Sequence, residues 1–282
     1  MPQRPTITGL VLTYNGARLL EPCLKSLAFC SEILVVDSFS KDDTMHIAQQ
    51  CRARVIQNKW PGPKAQFEFA LGHIATDWVV TIDQDEIISP ALRDAILETL
   101  PTAGDHCGYY VSRSSWYHDR FMRHSGWYPD WLLRVFRRDG AVFTQSGAHE
   151  HIRPKGKAAR LRPAKAHADI LHYPYENFRQ HLDKINDYAQ KGAEELQARG
   201  KRGGILVGMG HALGRFLKLF IVKLGFLDGR AGFLNACHGA FYAFLKYARV
   251  NEGTWGAPYN HRLKEPDSNA SNATPTPKEG RK

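Results

Sequence analysis

Two aspartates close an apolar run in "VVTIDQDEIISP", residues 79–90: Asp83 and Asp85, followed at once by Glu86. In extended geometry residues i and i+2 share a face, so Asp83 and Asp85 point to one side while Gln84 points away. Carboxylates held that close repel unless one is protonated or a cation lies between them. Mg²⁺ or Mn²⁺ resolves the repulsion, because such ions take one or two protein carboxylates and fill their other positions with phosphate oxygens and water. The pattern points to a metal-bound diphosphate. The plainer alternative is that Asp85 and Glu86 open the helix "SPALRDAILETL", where acids suit the N-terminal end of the dipole. Glu86 in particular reads as a helix-start residue.

The company of this motif strengthens the chemical reading. Asp37 also ends an apolar run, "EILVVD", and "LVLTYN" ends in Thr13, Tyr14 and Asn15. Between them the chain alternates strand-like segments (6–14, 32–38, 54–58, 77–83) with helix-like ones (19–30, 42–52, 64–75). Strands apolar throughout and joined by helices predict a parallel sheet covered on both faces. Ligands of such sheets bind beyond the carboxyl ends of the strands, which makes 13–15, 37–40 and 83–86 neighbours on one rim.

Residues 108–153 are aromatic and strand-like, with "GYYVSRSSWY" and "LLRVFRRDGAVF", and no linker separates them from the first half. From 175 the pattern turns helical and basic, with Asp228 the sole acid between Leu196 and Asn251. The apolar stretch 205–227 is interrupted by Arg215, Lys218 and Lys223, which fits an amphipathic helix in an anionic membrane interface better than a transmembrane one. The last residues, rich in Pro, Asn and Thr, read as a disordered tail.

The 282 residues, 43% hydrophobic, are enough for one large domain or a domain with an appendage. A net charge of +10 favours an anionic partner without choosing among nucleotide, nucleic acid, phosphorylated glycan and membrane. Five scattered cysteines without CxxC spacing indicate neither a disulfide framework nor a zinc site, and a reducing cytosol suits them. The first residues lack the apolar core of a signal peptide, so export is not expected.

Three stretches, "VLTYNGARLLEPCLKSL", "EILVVDSFSKDDT" and "TIDQDE", resemble the nucleotide-binding half of family 2 glycosyltransferases. Three more, "GWYPDWLLRVFRRDGAVFTQSGAHEHI", "LHYPYENFRQHLDKINDYA" and "KLGFLDGRAGFLNACHGAFYAFLKYAR", are similar to the subgroup that adds β-1,4-linked glucose to the lipopolysaccharide inner core of Gram-negative bacteria. The resemblance implies an α/β GT-A fold, a Rossmann-like nucleotide-binding mixed sheet flanked by helices, with a C-terminal amphipathic helical extension. It divides the chain into a catalytic domain (1–174), a basic membrane-associating extension (175–255) and a tail (256–282).

Carried over to this chain, the resemblance implies that Thr13, Tyr14 and Asn15 shape a uridine pocket, Asp37 holds uracil, Asp83 ribose, and Asp85, with Asp83 beside it, the Mg²⁺ or Mn²⁺. Lys64 in "WPGPKAQ" is either a phosphate contact or a solvated lysine at a helix start. Arg134, Arg137 and Arg138 are candidates for the diphosphate or for an anionic acceptor, with at most one of them functional. Glu150 in "GAHEHI" is the candidate base and Asp130 in "WYPDW" the runner-up. His149 and His151 flank Glu150, but without a third ligand nearby they do not make a transition-metal site. Trp127, Tyr128 and Trp131 serve as a sugar platform or as core.

The implied reaction is inverting transfer of a hexose, glucose from UDP-glucose, to a heptose of the lipid A-linked core. It would take place at the cytoplasmic face of the inner membrane, with the enzyme peripheral on anionic lipid. Another cell-surface or lipid-linked acceptor is the alternative. Nucleic-acid binding, suggested by the charge and by aromatic residues among basic ones, is disfavoured because Asp37, Asp83 and Asp85 would repel phosphates unless a metal were present.

Overall fold

The computed structural model describes residues 5–146, 149–162 and 166–254, and the backbone alone at 145, 146, 149, 150, 253 and 254. The expected tail at 256–282 lies outside the described residues. Strands β1 (Ile7–Thr13), β2 (Glu32–Asp37), β3 (Arg54–Gln57) and β4 (Trp78–Asp83) run parallel in the order β3-β2-β1-β4. Helices α1 (Leu20–Ser26), α2 (Thr44–Gln50) and α3 (Pro63–Leu71) join them.

Alternate strand residues serve opposite faces. Val11, Val35, Val80 and Ile82 pack with Leu20 and Leu24 of α1, whereas Leu10, Leu34, Val36 and Val79 pack with Phe67 of α3. That double cover is why these strands read as unbroken apolar runs.

The second half turns the sheet mixed. It comprises β5 (Glu86–Ile88), α4 (Pro90–Thr99), β6 (Gly108–Tyr117), β7 (Arg120–Phe121), β8 (Asp130–Arg137), the hairpin β9 (Ala141–Ser146) and β10 (His149–Pro154), β11 (Ala158–Arg160) and β12 (Asp169–His172). Strand β8 lies antiparallel between β4 and β6, and the order is completed as β4-β8-β6-β12-β5. The parallel sheet expected from the first hundred residues and the mixed sheet implied by the resemblance are both present. Helix α4 starts at Pro90, where Ser89 accepts from the Leu92 amide at 3.2 Å. Glu86 lies in β5, ahead of that cap, so it is not a helix-start residue.

Helices α5 (Phe178–Ala198), α6 (Ile205–Leu217) and α7 (Gly229–Ala248) form the C-terminal part, with a π-helical turn at Lys218–Val222 and a 3₁₀ turn at Gly225–Asp228 linking α6 to α7. The sole acid of that basic segment fastens this link to the catalytic half. Buried Asp228 accepts from the backbone amides of Arg123 (3.1 Å) and His124 (2.8 Å), and Ser125 donates to the Lys223 carbonyl at 2.8 Å. The turn is tight enough that a Cβ on Gly232 would lie 1.8 Å from the Gly225 carbonyl oxygen. Ile205–Val222 has a mean hydropathy of 1.6 and is 11% buried, so by length and composition it is sufficient to cross a membrane despite Arg215 and Lys218.

A buried aromatic and histidine cluster ties β6, α5 and α7 together. The Tyr117 hydroxyl lies 2.7 Å from His238 Nδ1 and 3.2 Å from His181 Nδ1, and His181 stacks on Tyr175 at 4.2 Å. Burial, and for His181 also the neighbouring His238, pushes both histidines down, His181 to about 4. Groups with a depressed folded pKa give full stability above the unfolded value and lose it as pH falls. Thermal stability is thus expected to drop on acidification from about pH 6.5, and the paired substitutions His181→Gln and His238→Gln are expected to flatten that slope. Calorimetric melting across the acid range checks this, and a flat wild-type profile down to about pH 5 would sink it.

Candidate active site

Gln84 and Asp85 form a tight turn between β4 and β5 rather than a continuation of the strand. The two aspartates therefore acquire separate partners, contrary to the shared face expected from extended geometry. Arg134 of β8 grips Asp83 with both terminal nitrogens, at 2.7 and 3.3 Å, and reaches Glu86 at 3.1 Å. Glu86, fully buried, also accepts from Arg113 of β6 (2.9 Å) and from the Asp83 amide (2.9 Å). Arg113 in turn donates twice to Asp130 Oδ2, at 3.0 and 2.7 Å. Three acids and two arginines thus alternate in charge beneath the rim. Desolvation opposes ionisation of Asp83, but the Arg134 charge and hydrogen bonds prevail and hold its carboxyl below the ordinary value. At Glu86 burial outweighs the arginines and pushes the carboxyl up.

Asp85 has no such arginine. Burial and the charge of Asp83 push its carboxyl up, and its nearest basic partner is His172 at the end of β12, with Nε2 to Oδ2 at 3.8 Å. The His172 Nδ1 lies 2.8 Å from Ser115 Oγ, and burial with the Arg113 charge lowers this imidazole to about 3, so it is neutral at ordinary pH. In the tautomer whose Nδ1–H donates to Ser115, Nε2 presents a lone pair for a cation beside Asp85; in the other, Nδ1 accepts from the Ser115 hydroxyl and Nε2–H faces the carboxylate. One carboxylate and one imidazole, with diphosphate oxygens and water completing the shell, fit a divalent cation. Arg134 engages each Asp83 oxygen once, which leaves a further lone pair on each for a hydroxyl donor, while a cation there would face the guanidinium charge. Among the described residues no group of three or more metal-ligating side chains occurs.

Over Asp83 opens a cleft of 660 Å³, bounded by Thr13, Tyr14, Ser38, Trp60, Trp131 and Arg134, with His151 and Arg153 of β10 on the far wall. Gln84 lines the cleft together with Asp83, contrary to the opposite face expected for it, and closes the end of β1: its Oε1 accepts from Thr13 Oγ1 (2.6 Å) and the Tyr14 amide (3.0 Å). Three expected nucleotide-sugar contacts, and the expected metal ligand Asp85, are not among the residues that line the cleft. Asp37, fully buried, accepts from the Ser40 amide (3.0 Å), the Ser40 hydroxyl and Gln57 (3.1 Å), so its carboxylate builds the 38–40 turn. Asn15, at φ 49°, ties that turn to β1 through Ser40 Oγ (2.8 Å) and the Lys41 amide (2.9 Å). Lys64 is exposed and lies 3.8 Å from Glu68 one helical turn on.

Asp130 belongs to two hollows at once. It lines the 660 Å³ cleft and also a second cavity of 400 Å³ bounded by Arg113, Ser115, Trp127, His172 and Tyr175. The backbone of Glu150 pairs with Gln145 in the β9–β10 hairpin beside the cleft, and its side chain lies outside the described residues, as does that of His149. Trp131 faces the cleft with Arg160 stacked 4.8 Å above its ring, whereas Trp127 packs on Tyr117. Tyr128 donates to Asp169 at 3.1 Å beneath Arg123. Of the other arginines, Arg137 caps carbonyls of Gly104 and His106 over Trp78, and Arg138 pairs with Asp139 at the surface. Sequence reasoning missed Arg113 and His172. The visible signals were a lone cation inside the strand "VSRSS" and a histidine ending the strand "DILH".

A mixed sheet whose parallel half ends in an acidic turn above a polar cleft is the arrangement of a GT-A transferase. Residues 10–155 match the profile of Glycosyl transferase family 2, and the chain belongs to that family. It is 28% identical over 261 residues to the lipopolysaccharide core biosynthesis glycosyltransferase LpsC of Rhizobium meliloti, covering 89% of this chain and 93% of that one. It is also 28% identical to an uncharacterized glycosyltransferase of Rickettsia felis, over 87% and 89% of the two chains. Among solved structures, glucosyl-3-phosphoglycerate synthase of Mycobacterium tuberculosis in complex with Mn²⁺, UDP and glucosyl-3-phosphoglycerate is 26% identical, with a TM-score of 0.33 over 40% of this chain. The match spans 44% of that synthase, less than half its length.

Proposed function

We propose that this glycosyltransferase moves a hexose, glucose from UDP-glucose, with inversion onto a heptose of the lipopolysaccharide inner core. The observation that carries the reading is the position of Asp130, shared by the large cleft and the second cavity. A donor whose nucleoside lies in the first and whose diphosphate reaches the His172 end of the second would meet an acceptor hydroxyl there at one carboxylate, as single displacement requires. Near-full-length similarity to a core biosynthesis enzyme supports the acceptor class.

In this reading Thr13, Tyr14 and Ser38 border the nucleoside, and Asp83, held rigid by Arg134, receives the ribose hydroxyls. Asp85 and His172 would hold Mg²⁺ or Mn²⁺, which when bound neutralises charge on the departing diphosphate. Both Arg113 contacts fall on Asp130 Oδ2, so Oδ1 is the oxygen for the acceptor proton. This makes Asp130 the preferred base over Glu150. The exposed apolar residues of α6, beside Arg215 and Lys218, would keep the enzyme peripheral on anionic lipid at the cytoplasmic face.

The test is purified protein with a panel of UDP-sugars, divalent cation and heptosylated lipid A precursor, the product linkage being read by NMR. A β-linked glucosyl product is expected. Turnover of UDP-glucose without transfer to this acceptor would remove the core assignment. Asp130→Asn is expected to lower kcat by about 10²–10⁴-fold and Glu150→Gln by much less; the reverse order would make Glu150 the base.

A further inference from the structure

Beyond Asp130 three hollows succeed one another through shared lining residues, and we treat them as one trough whose chemistry changes from hollow to hollow. Tyr175, at the end of the second cavity, also lines a third hollow of 240 Å³ with Trp116, Tyr117 and His181. His118, Phe178 and Leu234 line both that hollow and a fourth, of 610 Å³, walled by Phe220, Phe226 and Phe233. From the donor cleft outward the lining thus passes from carboxylates and arginines, through ring faces that carry polar edges, to bare phenyl groups. Rings with polar edges suit saccharide, and the last stretch suits hydrocarbon.

Phe226 and Phe233 remain 45% and 51% exposed although they cluster with Phe220, at centroid separations of 6.3 and 5.7 Å. An apolar groove left open beside a reaction centre marks a binding surface. Cations accompany it: Arg230 stands in the groove wall, and the Lys223 side chain lies against Gly126, which lines the second cavity. The Asp228 latch fixes the groove relative to β7 and its following loop, so the trough has a set length.

We propose that the acceptor is an anionic amphiphile bound along this trough. Its saccharide spans Asp130 to Tyr175, its anionic groups lie by Lys223 and Arg230, and its hydrocarbon chain rests on Phe220, Phe226 and Phe233. This rests on the acceptor reading above and adds to it that the enzyme itself grips the lipid. The convex face of α6, with Leu206 and Leu213 at 83% and 63% exposure, is left for the bilayer.

The experiment compares heptosylated lipid A precursor, below its micelle concentration, with the same acceptor stripped of its acyl chains. The double variant Phe226→Ser, Phe233→Ser in the full chain is expected to lose about tenfold in kcat/KM for the acylated acceptor and nothing for the stripped one. Equal loss on both, or no loss on either, overturns the proposal. Independently, dodecyl phosphate carrying a diazirine in its chain is photolysed with the wild type. Cross-links within 220–234 that vanish in the variant are expected, and cross-links confined to the outer face of α6 overturn the groove. Groove cross-links without any transfer to heptose would leave the groove standing and remove the heptose reading instead.

Discussion

Asp85→Asn is expected to abolish most transfer, lowering kcat by about 10²–10³-fold, while leaving the melting temperature unchanged or raised. The two effects share one cause. The Asp85 carboxylate is desolvated and faces the charge of Asp83, and both push its proton affinity up. A group whose ionised form the fold disfavours in this way costs stability when charged, so the neutral isostere relieves the protein. Such a cost persists where a cation that arrives with substrate compensates it. A readout that needs no turnover follows: UDP with Mg²⁺ or Mn²⁺ is expected to raise the melting temperature of the wild type and not that of Asp85→Asn. A variant that melts lower, or that keeps the shift, would show that Asp85 serves the fold or that the cation lies elsewhere. Asp83→Asn serves as contrast, since its carboxylate is already paired and its loss is expected to destabilise.

Strands β1, β2 and β4 were legible in the sequence because both their faces are buried, which writes an unbroken apolar run wherever a parallel strand passes through a core. The rim residues followed from the same geometry. What the sequence hid were partners distant along the chain. Asp228 looked like a stray acid in a basic stretch, and the backbone amides it latches lie 104 and 105 residues away. Glu86 looked like a helix-start acid because three residues separate it from Pro90, yet its guanidinium partners come from β6 and β8, 27 and 48 residues on. Asp37 shows the converse limit: an acid at a strand end is equally suited to bind a ligand or its own following turn, and here the fold brings Ser40 and Gln57 onto it. His172 escaped notice because β12 is four residues long and carries no periodicity to place it.

Pairing also decides which charges are free for chemistry. Arg134 and Arg113 each bridge Glu86 to an exposed aspartate, Asp83 on one side and Asp130 on the other. The buried carboxylate therefore sets the spacing between the residue assigned to ribose and the one assigned to the acceptor proton. Asp85, one turn residue away, is excluded from this ladder and left for the cation.

Glu86→Ala is accordingly expected to cost about 3–5 kcal/mol of unfolding free energy, the largest loss of any single change at the site. The cost does not come from a strong net bond, since burial pushes the Glu86 carboxyl up and outweighs the arginines' pull. It comes from what stays behind: two guanidiniums facing each other without their shared anion, and the Asp83 amide with no acceptor. Urea denaturation should show the loss as a lower midpoint at unchanged slope. The combined variant Glu86→Met, Arg113→Met, Arg134→Leu removes the buried carboxylate and its two half-buried guanidiniums together, so it is expected to recover a large part of that stability, while Asp83 and Asp130, both partly exposed, hydrate. Transfer should stay lost in the combined variant, because neither aspartate then has a fixed position at the cleft. Recovery of activity along with stability would show that the ladder supports the fold alone and does not position the reaction.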